Sequence, residues 1–396
     1  MADSPTRTRL IVFSDDWGRH PSSCQHLVRR LVDRYPTLWV NTIGTRLPGL
    51  NADDLKKVAE KLRQWCSSAG KQNGIDLPEK LDVISPRMYP GFRTDWQRRF
   101  NARRITGAVH RAIGPRADHE RRIVISTLPM TADLIRENEG ERIGKLDVDQ
   151  WVYYCVDDFS VWPGLDGPVM EEMERLQAAR VDKAIAVSPT LQDRLSGMGC
   201  ESTLITHGID LEHWTDSVDP AMPGWGRELP EPIVLFWGLV DQRLDTSVCQ
   251  ALVDDESFTG TLILVGPQQS PDSALSESSR IVMPGPMPYD DLPALAAAAD
   301  VLVMPYADLP VTRAMQPLKF KEYLATGKPV VARSLPSNQQ WSSAADLVTD
   351  ARGFVSAVQI RLEQGITAEQ RNQRQRLADE TWEAKAAAFA DSIGLS

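Results

Sequence analysis

The sequence is organised as short apolar runs that alternate with segments of helical periodicity. The first run is Leu10–Ser14, and apolar residues at helical spacing follow it in Ser22–Arg34. Within the runs, apolar residues do not alternate with polar ones, which predicts strands covered on both faces, as in a parallel sheet. Repetition of strand, helix and strand predicts a doubly wound α/β fold.

The series of strands and helices is interrupted once. Residues 215–232 contain four prolines and two glycines without periodicity, which is typical of an interdomain linker. A second series begins at Ile233 and ends in a closing helix over 381–396. We therefore predict two Rossmann-like domains, over 1–214 and 233–380. In such a pair, ligands bind in a cleft at the carboxyl ends of the two parallel sheets.

The composition indicates an ordinary globular protein. Of the 396 residues, 42% are hydrophobic and 25% are charged, which excludes a disordered or collagen-like chain. The formal net charge is −10, which argues against nucleic-acid binding as the main activity, since phosphate contacts need a positive surface.

The cysteines and the amino terminus predict a cellular location. The five cysteines form no CxxC pair and no metal-like spacing, as expected of free thiols in a reducing compartment. The first residues lack the layout of a signal peptide, and the longest apolar run, Ile233–Val240, is too short to cross a bilayer. We expect a cytoplasmic protein, or one that lies on the inner face of the membrane.

The most informative segment is Gln316–Ala332, with the sequence QPLKFKEYLATGKPVVA. Pro317 suits the first turn of a helix, and Gly327 suits its C-terminal end. Lys319 and Glu322 are three residues apart and therefore share one face of that helix. Taken alone, the same pattern also fits an amphipathic helix with a surface Lys–Glu pair.

This segment resembles the nucleotide-sugar-binding segment of GT-B glycosyltransferases, of the family 4/1-like type. The resemblance implies that the helix N-terminus at Pro317 and Leu318 faces the diphosphate of a donor, where the helix dipole and free N–H groups favour anions. It also implies that Glu322 accepts hydrogen bonds from the ribose hydroxyls. Lys319 would then lie near the phosphates or the donor sugar.

Other parts of the chain resemble the same family. Gly238 follows the first strand of the second domain, where the family has a glycine-rich turn, and it allows close backbone approach. Arg243 is the candidate for pairing with a phosphate. The turn at His207 resembles the N-G-V-D turn of the family with His in place of Asn, and there Gly208 would supply a positive φ. The likeness spans nearly the whole chain, and it implies that the closing helix crosses back to the first domain.

The chain also departs from the commonest pattern of the family. Retaining enzymes of this type have two glutamates eight positions apart; Glu322 matches the second, but Ala314 occupies the place of the first. The usual Arg and Lys after the first strand are reduced to Arg243. The pattern is more similar to the branch found in cell-wall and exopolysaccharide clusters, such as teichuronic-acid-type transferases. Whether the reaction retains or inverts the sugar configuration stays open.

The resemblance implies an enzyme that moves a sugar from a nucleotide-diphosphate donor to a hydroxyl of a glycan or a lipid-linked saccharide. The donor would be a UDP-, GDP- or dTDP-sugar, and no metal or other cofactor would be required. One alternative is a non-catalytic nucleotide-sugar-binding partner protein, which Ala314 motivates. A second is a nucleotide-sugar epimerase of the same fold, which needs further acids at the donor sugar.

Acceptor-side residues are expected at the ends of two strands of the first domain. Asp16, Gly18 and His20 follow the first strand, where the side chains of Asp16 and His20 could bind acceptor hydroxyls and His20 is a candidate catalytic group. Asp157 and Asp158 follow a central strand, where a carboxylate could accept the proton of the attacking hydroxyl if the enzyme inverts. The structural alternative for Asp157 and Asp158 is a helix cap and a solvated turn acid.

A basic and aromatic stretch covers residues 87–122. It contains ten arginines against three acidic residues, with four aromatic residues interleaved. A basic helix over Thr94–Ile113 could lie on an anionic bilayer, which would suit a lipid-linked acceptor. The alternative is a solvated helix whose arginines pair with local acids.

Overall fold

The computed structural model describes residues 7–18, 22–41, 77–89, 91–135, 145–162, 164–215 and 219–395. The chain divides into two compact units. Unit 1 consists of Met1–Ala186, Leu191–Leu204 and Ala388–Ser396, and unit 2 consists of Val187–Thr190 and Ile205–Ala387.

The described part of unit 1 contains a parallel sheet of seven strands. The strands are β1 (Arg7–Ser14), β2 (Thr37–Asn41), β3 (Leu81–Ile84), β4 (Glu120–Ser126), β5 (Gln150–Cys155), β6 (Lys183–Ala186) and β7 (Thr203–Leu204). Their order is β3-β2-β1-β4-β5-β6-β7, and Leu10 of β1 is in register with Thr37 of β2 and Ile123 of β4. The chain direction along the sheet reverses beside β1, so the loop after β1 lies where doubly wound sheets bind ligands.

The described part of unit 2 contains a parallel sheet of six strands. The strands are β8 (Ile233–Trp237), β9 (Thr261–Val265), β10 (Ile281–Gly285), β11 (Val301–Met304), β12 (Val330–Arg333) and β13 (Asp346–Val348). Their order is β10-β9-β8-β11-β12-β13, so the switch point lies between β8 and β11. The predicted doubly wound α/β fold is confirmed.

Helices connect the strands in both units. In chain order the described helices are α1 (Ser23–Leu31), α2 (Asp95–Ile113), α3 (Gly167–Ala178), α4 (Pro189–Gly197), α5 (Leu211–Thr215), α6 (Thr246–Asp254), α7 (Leu292–Ala298), α8 (Pro310–Ala314), α9 (Leu318–Ala325), α10 (Ala351–Gln364), α11 (Ala368–Gln373) and α12 (Trp382–Ser392). Several of them begin at a residue whose side chain accepts a hydrogen bond from the first turn of the helix. Thr94 and Gln97 form a capping box at the start of α2, and Asp350 caps α10 by accepting from the N–H of Gly353.

Each unit has its own hydrophobic core. Ile11, Phe13 and Leu134 belong to a core built from unit 1 residues, and Leu252 and Val358 belong to one built from unit 2 residues. The apolar runs of the sequence supply both cores, because strands covered on two faces bury every side chain. No helix of the described residues is long and apolar enough to cross a membrane.

The division between units differs in position from the predicted domain boundaries. It falls at residue 204, before the predicted boundary at 214, and the predicted linker 215–232 groups with unit 2. The described part of that segment is tied to unit 2, since Ala221 donates its N–H to the carbonyl of Ala294. The domain boundaries themselves remain a prediction.

The predicted closing helix over 381–396 overlaps α12, which runs over Trp382–Ser392. α12 starts at Trp382, because Thr381 has an extended backbone and forms a parallel bridge with Ile209. Along this helix the chain passes from unit 2 to unit 1, since residues up to 387 group with unit 2 and 388–396 with unit 1.

Candidate functional site

The predicted donor residue Glu322 lies on α9 and accepts hydrogen bonds from two aromatic side chains. Trp237 Nε1 donates to Glu322 Oε2 over 3.1 Å, and the Tyr289 hydroxyl donates to Oε1 over 3.5 Å. Trp214 Nε1 in turn donates to the Tyr289 hydroxyl over 3.1 Å. The carboxylate is therefore oriented by a chain of donors, which leaves its remaining lone pairs as acceptors.

Four rings pack beside this carboxylate. Trp214 stacks on Trp237 with ring centroids 5.2 Å apart, and His213 stacks on Tyr289 with centroids 4.3 Å apart. The sequence predicted neither His213 nor Tyr289, since a single His or Tyr in a loop or short helix gives no pattern. The rings restrict water around Glu322, and they fix the two donors that orient it.

Lys319 interacts electrostatically with both Glu322 and Arg243. Burial raises the pKa of Glu322, and the neighbouring positive charge of Lys319 opposes that rise. The pKa of Lys319 is lowered, mainly by burial. The carboxylate of Glu322 opposes this change, and the guanidinium of Arg243 adds to it. The structure thus brings Glu322, Lys319 and Arg243 together, although Arg243 is distant from the other two in the sequence.

Arg243 is buried and partly engaged. Its Nε lies 3.0 and 3.1 Å from the two carboxylate oxygens of Asp241, and its Nη1 lies 3.8 Å from Sδ of Met315. The Asp241 carboxylate and the loop after β8 therefore fix the direction of the guanidinium. A pre-oriented guanidinium loses less side-chain entropy when it binds an anion.

The N-terminus of α9 differs by one residue from the prediction. Pro317 is the N-cap rather than a residue of the first turn, and Leu318 is the first helical residue. No side chain caps this end, and Pro317 has no N–H of its own. The first-turn N–H groups are the ordinary orphan donors of a helix, and the dipole adds positive potential there.

Gly238 is approached closely by the backbone of Gly266, which belongs to the same unit. A Cβ on Gly266, whose φ is +144°, would lie 1.7 Å from the carbonyl oxygen of Gly238. A Cβ on Gly238 itself would lie 2.6 Å from the ring of Phe236. The two glycines therefore allow the ends of β8 and β9 to lie close together.

The turn at His207 is fixed to the start of α9. The N–H of His207 donates to Oε1 of Gln316 over 2.6 Å, and Nδ1 of His207 lies 3.0 Å from the carbonyl oxygen of Gln316. The expectation that Gly208 supplies a positive φ is wrong. Glycine is needed there for another reason, because a Cβ would lie 2.7 Å from the ring of Trp382.

Among the acceptor-side candidates, Asp158 is engaged in structural contacts. It is buried, and it accepts from the N–H and the hydroxyl of Ser160 and forms an ion pair of 3.3 Å with Arg194. Arg194 also pairs with the buried carboxylate of Glu174 over 2.8 Å. These contacts favour the turn-acid interpretation for Asp158. Asp157 is half-buried and stays a prediction as the general base.

The loop after β1 contains the other acceptor-side candidates. Gly18 has a φ of 76°, and its N–H donates to Oε1 of Gln25 over 3.1 Å. Nε2 of Gln25 lies 3.5 Å from the carbonyl oxygen of Asp16, so one side chain of α1 braces the turn. His20 lies outside the described residues. Within the described ranges, no three His, Cys, Asp or Glu residues are grouped as a metal site would need.

Comparison with known proteins identifies the second unit. Residues 234–364 match the family model for glycosyl transferases group 1. Unit 2 carries a glycosyl transferases group 1 domain. The matched range contains Glu322, Lys319, Arg243 and Tyr289, whereas His213 and Trp214 precede it.

A curated relative matches part of the chain. It is a protein of Bacillus subtilis (strain 168) named as a teichuronic acid biosynthesis glycosyltransferase, TuaH, with 36% identity over 116 residues. The matched region is 28% of this chain and 29% of the relative. The match therefore covers less than a third of the length of that curated relative.

Solved structures match nearly the whole chain and show its fold. A sucrose-phosphate synthase from Thermosynechococcus elongatus has a TM-score of 0.68 at 18% identity, with 97% of this chain and 98% of that chain covered. HepE of Anabaena, in complex with UDP and glucose, has a TM-score of 0.64 at 13% identity, with 98% and 99% covered. The chain has the same GT-B fold as these proteins, as the resemblance implied.

Proposed function

We propose that this protein is a glycosyltransferase that moves a sugar from a nucleotide-diphosphate donor to a hydroxyl of a glycan or lipid-linked saccharide. The observation that carries the proposal is the grouping of Glu322 and Lys319 on α9 with Arg243, whose Nη1 lies 3.8 Å from Sδ of Met315 just before that helix. This grouping lies inside the segment that matches the glycosyl transferases group 1 model.

The geometry suits the charge that develops in such a transfer. When the bond between the sugar and the diphosphate breaks, negative charge grows on the leaving diphosphate. Lys319, Arg243 and the N–H groups at the start of α9 are fixed positive partners for it, and fixed donors need no rearrangement as the charge forms. Glu322 would accept from the ribose hydroxyls with the lone pairs that Trp237 and Tyr289 leave free.

We propose a UDP-sugar as the first donor to test. The support comes from structural relatives, since HepE of Anabaena was solved with UDP and glucose and with UDP-glucose. A trehalose-6-phosphate protein of E. coli, with a TM-score of 0.65, was solved with UDP-2-fluoro glucose. GDP- and dTDP-sugars are the other donors to compare, and no metal is assigned a role.

The acceptor is proposed as a cell-envelope polysaccharide or its lipid-linked precursor, on the strength of the Bacillus subtilis relative. Asp157 is the proposed general base if the reaction inverts, because it lies at the carboxyl end of β5 and the contacts of Asp158 are structural. A cytoplasmic location is supported by the four described cysteines, all of which are free and buried.

Thermal unfolding with nucleotides tests the donor site. UDP, GDP, dTDP and CMP are each added to the full chain, to Glu322→Gln, and to Glu363→Gln as a matched control on the exposed face of α10. A ligand at 100 times its Kd adds about 2.7 kcal/mol to the free energy of unfolding. We expect one nucleoside diphosphate to raise the Tm of the wild type and the control by roughly 5–10 °C.

The Glu322→Gln variant should show a clearly smaller shift at the same concentration. An assay of sugar transfer from the matching donor then distinguishes a transferase from a nucleotide-sugar-binding protein without catalytic activity. The proposal fails if no nucleotide stabilises the wild type, or if the bound donor is neither transferred nor hydrolysed in the presence of polysaccharide acceptors.

A further inference from the structure

One face of α2 combines exposed aromatic rings with arginines, and the proposed function leaves it without a role. We call it the aromatic–arginine face. It consists of Trp96, Arg99, Phe100, Arg103, Arg104 and Arg111, all of them exposed. At 100° per residue these six positions fall within one stripe of the helix.

The orientation of this face is fixed by the opposite side of the helix. Ile105, Val109 and Ile113 are buried in the core of unit 1. Asn101 is also buried, where its side chain accepts from the N–H of Tyr89 and donates to the carbonyl of Gly91. Because α2 is held through these residues, the aromatic–arginine face must point away from the core.

The exposed rings form a cluster rather than single scattered side chains. Trp96 is 58% exposed, and its ring lies 5.7 Å from that of Phe100 and 5.3 Å from that of Tyr89, measured between centroids. Contiguous apolar surface of this kind marks an interaction site more often than isolated exposed residues do. Trp and Tyr combine an apolar ring with one polar group, and they are enriched at the interface between membrane and water.

The charge of this face is positive. The only acidic residue of α2 is Asp95, at its first position. Two neighbouring arginines do pair with acids, Arg93 with Asp166 and Arg98 with Asp133 and Glu172. These pairs match the interpretation of a solvated helix with local ion pairs for that part of the stretch.

The arginines of the aromatic–arginine face behave differently. Within the described ranges, Arg99, Arg103 and Arg111 form no ion pair, and Arg104 contacts only the carbonyl oxygen of Arg87, at 3.5 Å. This face therefore carries positive charge, although the protein as a whole has a net charge of −10. It complements a surface that is negatively charged.

We infer that the aromatic–arginine face binds the surface of an anionic lipid bilayer, with α2 lying along the plane of the headgroups. The arginines would pair with lipid phosphates while Trp96, Phe100 and Tyr89 enter the interface. A bilayer is favoured over a nucleic acid because the apolar rings and the arginines lie along one stripe of a single helix, which is the layout of a helix in the plane of a membrane interface. The inference goes beyond the proposed function, but it rests on it in one respect: a lipid-linked acceptor gives the contact a purpose.

Flotation of the full chain with vesicles tests the inference. The vesicles contain phosphatidylcholine alone or with about 30% phosphatidylglycerol. The variants are Arg99→Gln/Arg103→Gln and Trp96→Ser/Phe100→Ser. The control, Arg227→Gln/Arg352→Gln, removes the same charge from exposed positions of unit 2. A single-stranded oligonucleotide at equal phosphate concentration is included as a competing polyanion.

We expect the wild type and the control to bind the anionic vesicles at low salt, to bind neutral vesicles weakly, and to dissociate as salt is raised. The arginine variant should bind about thirtyfold more weakly, at roughly fivefold for each charge. The aromatic variant should also lose binding. A far-ultraviolet circular dichroism spectrum and a Tm without nucleotide that match those of the wild type show that each variant is folded.

Three results would overturn the inference: no binding of the wild type to anionic vesicles at low salt, equal binding by the wild type and both variants, or stronger binding of the oligonucleotide through the same arginines. The vesicles contain no donor or acceptor, so these results do not depend on catalysis. A failed vesicle test with an intact nucleotide shift removes only the membrane contact, and the reverse pattern removes only the proposed donor site.

Discussion

At the scale of single residues, Glu322 depends on groups that are far from it in the chain. Its oxygens accept from Trp237 on β8 and from Tyr289. Burial raises the pKa of its carboxyl, and Lys319 limits that rise. The same enclosure that makes the carboxylate an oriented acceptor therefore also makes it easier to protonate.

A pH dependence follows for nucleotide binding. The folded-state pKa of Glu322 lies above the ordinary value for glutamate of about 4.3, so the folded protein takes up this proton at a higher pH than the unfolded chain does. We expect nucleotide affinity to fall as the pH is lowered through that raised pKa, since a protonated carboxyl has lost acceptor capacity. Without nucleotide, the Glu322 contribution to the free energy of unfolding should instead rise on acidification.

Titration calorimetry of wild type and Glu322→Gln between about pH 4.5 and 7.5 measures this effect. The titration of the nucleotide phosphate is common to both proteins, so the difference between their curves reports Glu322. Parallel curves would show that Glu322 does not bind the nucleotide in its charged form.

At the scale of secondary structure, α9 is fixed by side chains from several segments. Gln316 and His207 join its start to the turn after β7. In its middle, the buried ammonium of Lys321 contacts the carbonyl of His207 and the carboxylate of Glu380. At its end, Arg374 donates to the carbonyl of Leu324 over 3.2 Å. The helix that presents Glu322 and Lys319 is thus a rigid support.

The Lys321–Glu380 pair should contribute strongly to stability. Lys321→Met keeps the side-chain length but leaves the Glu380 carboxylate with Lys385 as its remaining cation, 2.8 Å away. We expect a loss of about 2 kcal/mol in the free energy of unfolding, because the carbonyl of His207 loses its buried donor and Glu380 loses one of its two cations. Lys385→Met, at a more exposed position, should cost at most about 1 kcal/mol.

Urea unfolding of both lysine variants and the wild type measures the two losses. Equal losses would mean that Glu380 is stabilised by either lysine alone, and that Lys321 does not anchor α9.

At the scale of the whole molecule, the two units have separate hydrophobic cores. The core around Leu134 contains only unit 1 residues, and the core around Leu252 contains only unit 2 residues. Multi-domain chains of this kind depart from two-state unfolding. Since the proposed donor site lies in unit 2, nucleotide binding should stabilise that unit first.

Calorimetry of two matched core variants should resolve the units. Leu134→Ala and Leu252→Ala each remove a fully buried leucine and should each cost about 3 kcal/mol. We expect each variant to lower a different transition by roughly 6–12 °C. A single transition that both variants shift equally would show that the chain unfolds as one cooperative body.

Much of the fold could be predicted because its signals are local. β8, β9 and the Leu10–Phe13 part of β1 are largely continuous apolar runs, which are typical of strands covered on both faces of a parallel sheet. The segment that becomes α9 and β12 could be recognised as well, since its proline, its Lys–Glu spacing and its glycine lie within one short stretch. The reason for the glycine at position 208 could not be predicted in this way, because the side chain that requires it, Trp382, is remote in the sequence.

The sequence by itself determined the α/β class, the two series of strands and the segment with Glu322 and Lys319, because periodicity and spacing act between residues that are close in the chain. Only the tertiary structure decided which groups surround these residues. His213 and Tyr289 stack beside Glu322, and Asp158 pairs with Arg194, although each of these pairs is distant along the chain. Such contacts depend on how strands and loops are placed in space, and no local pattern encodes that placement.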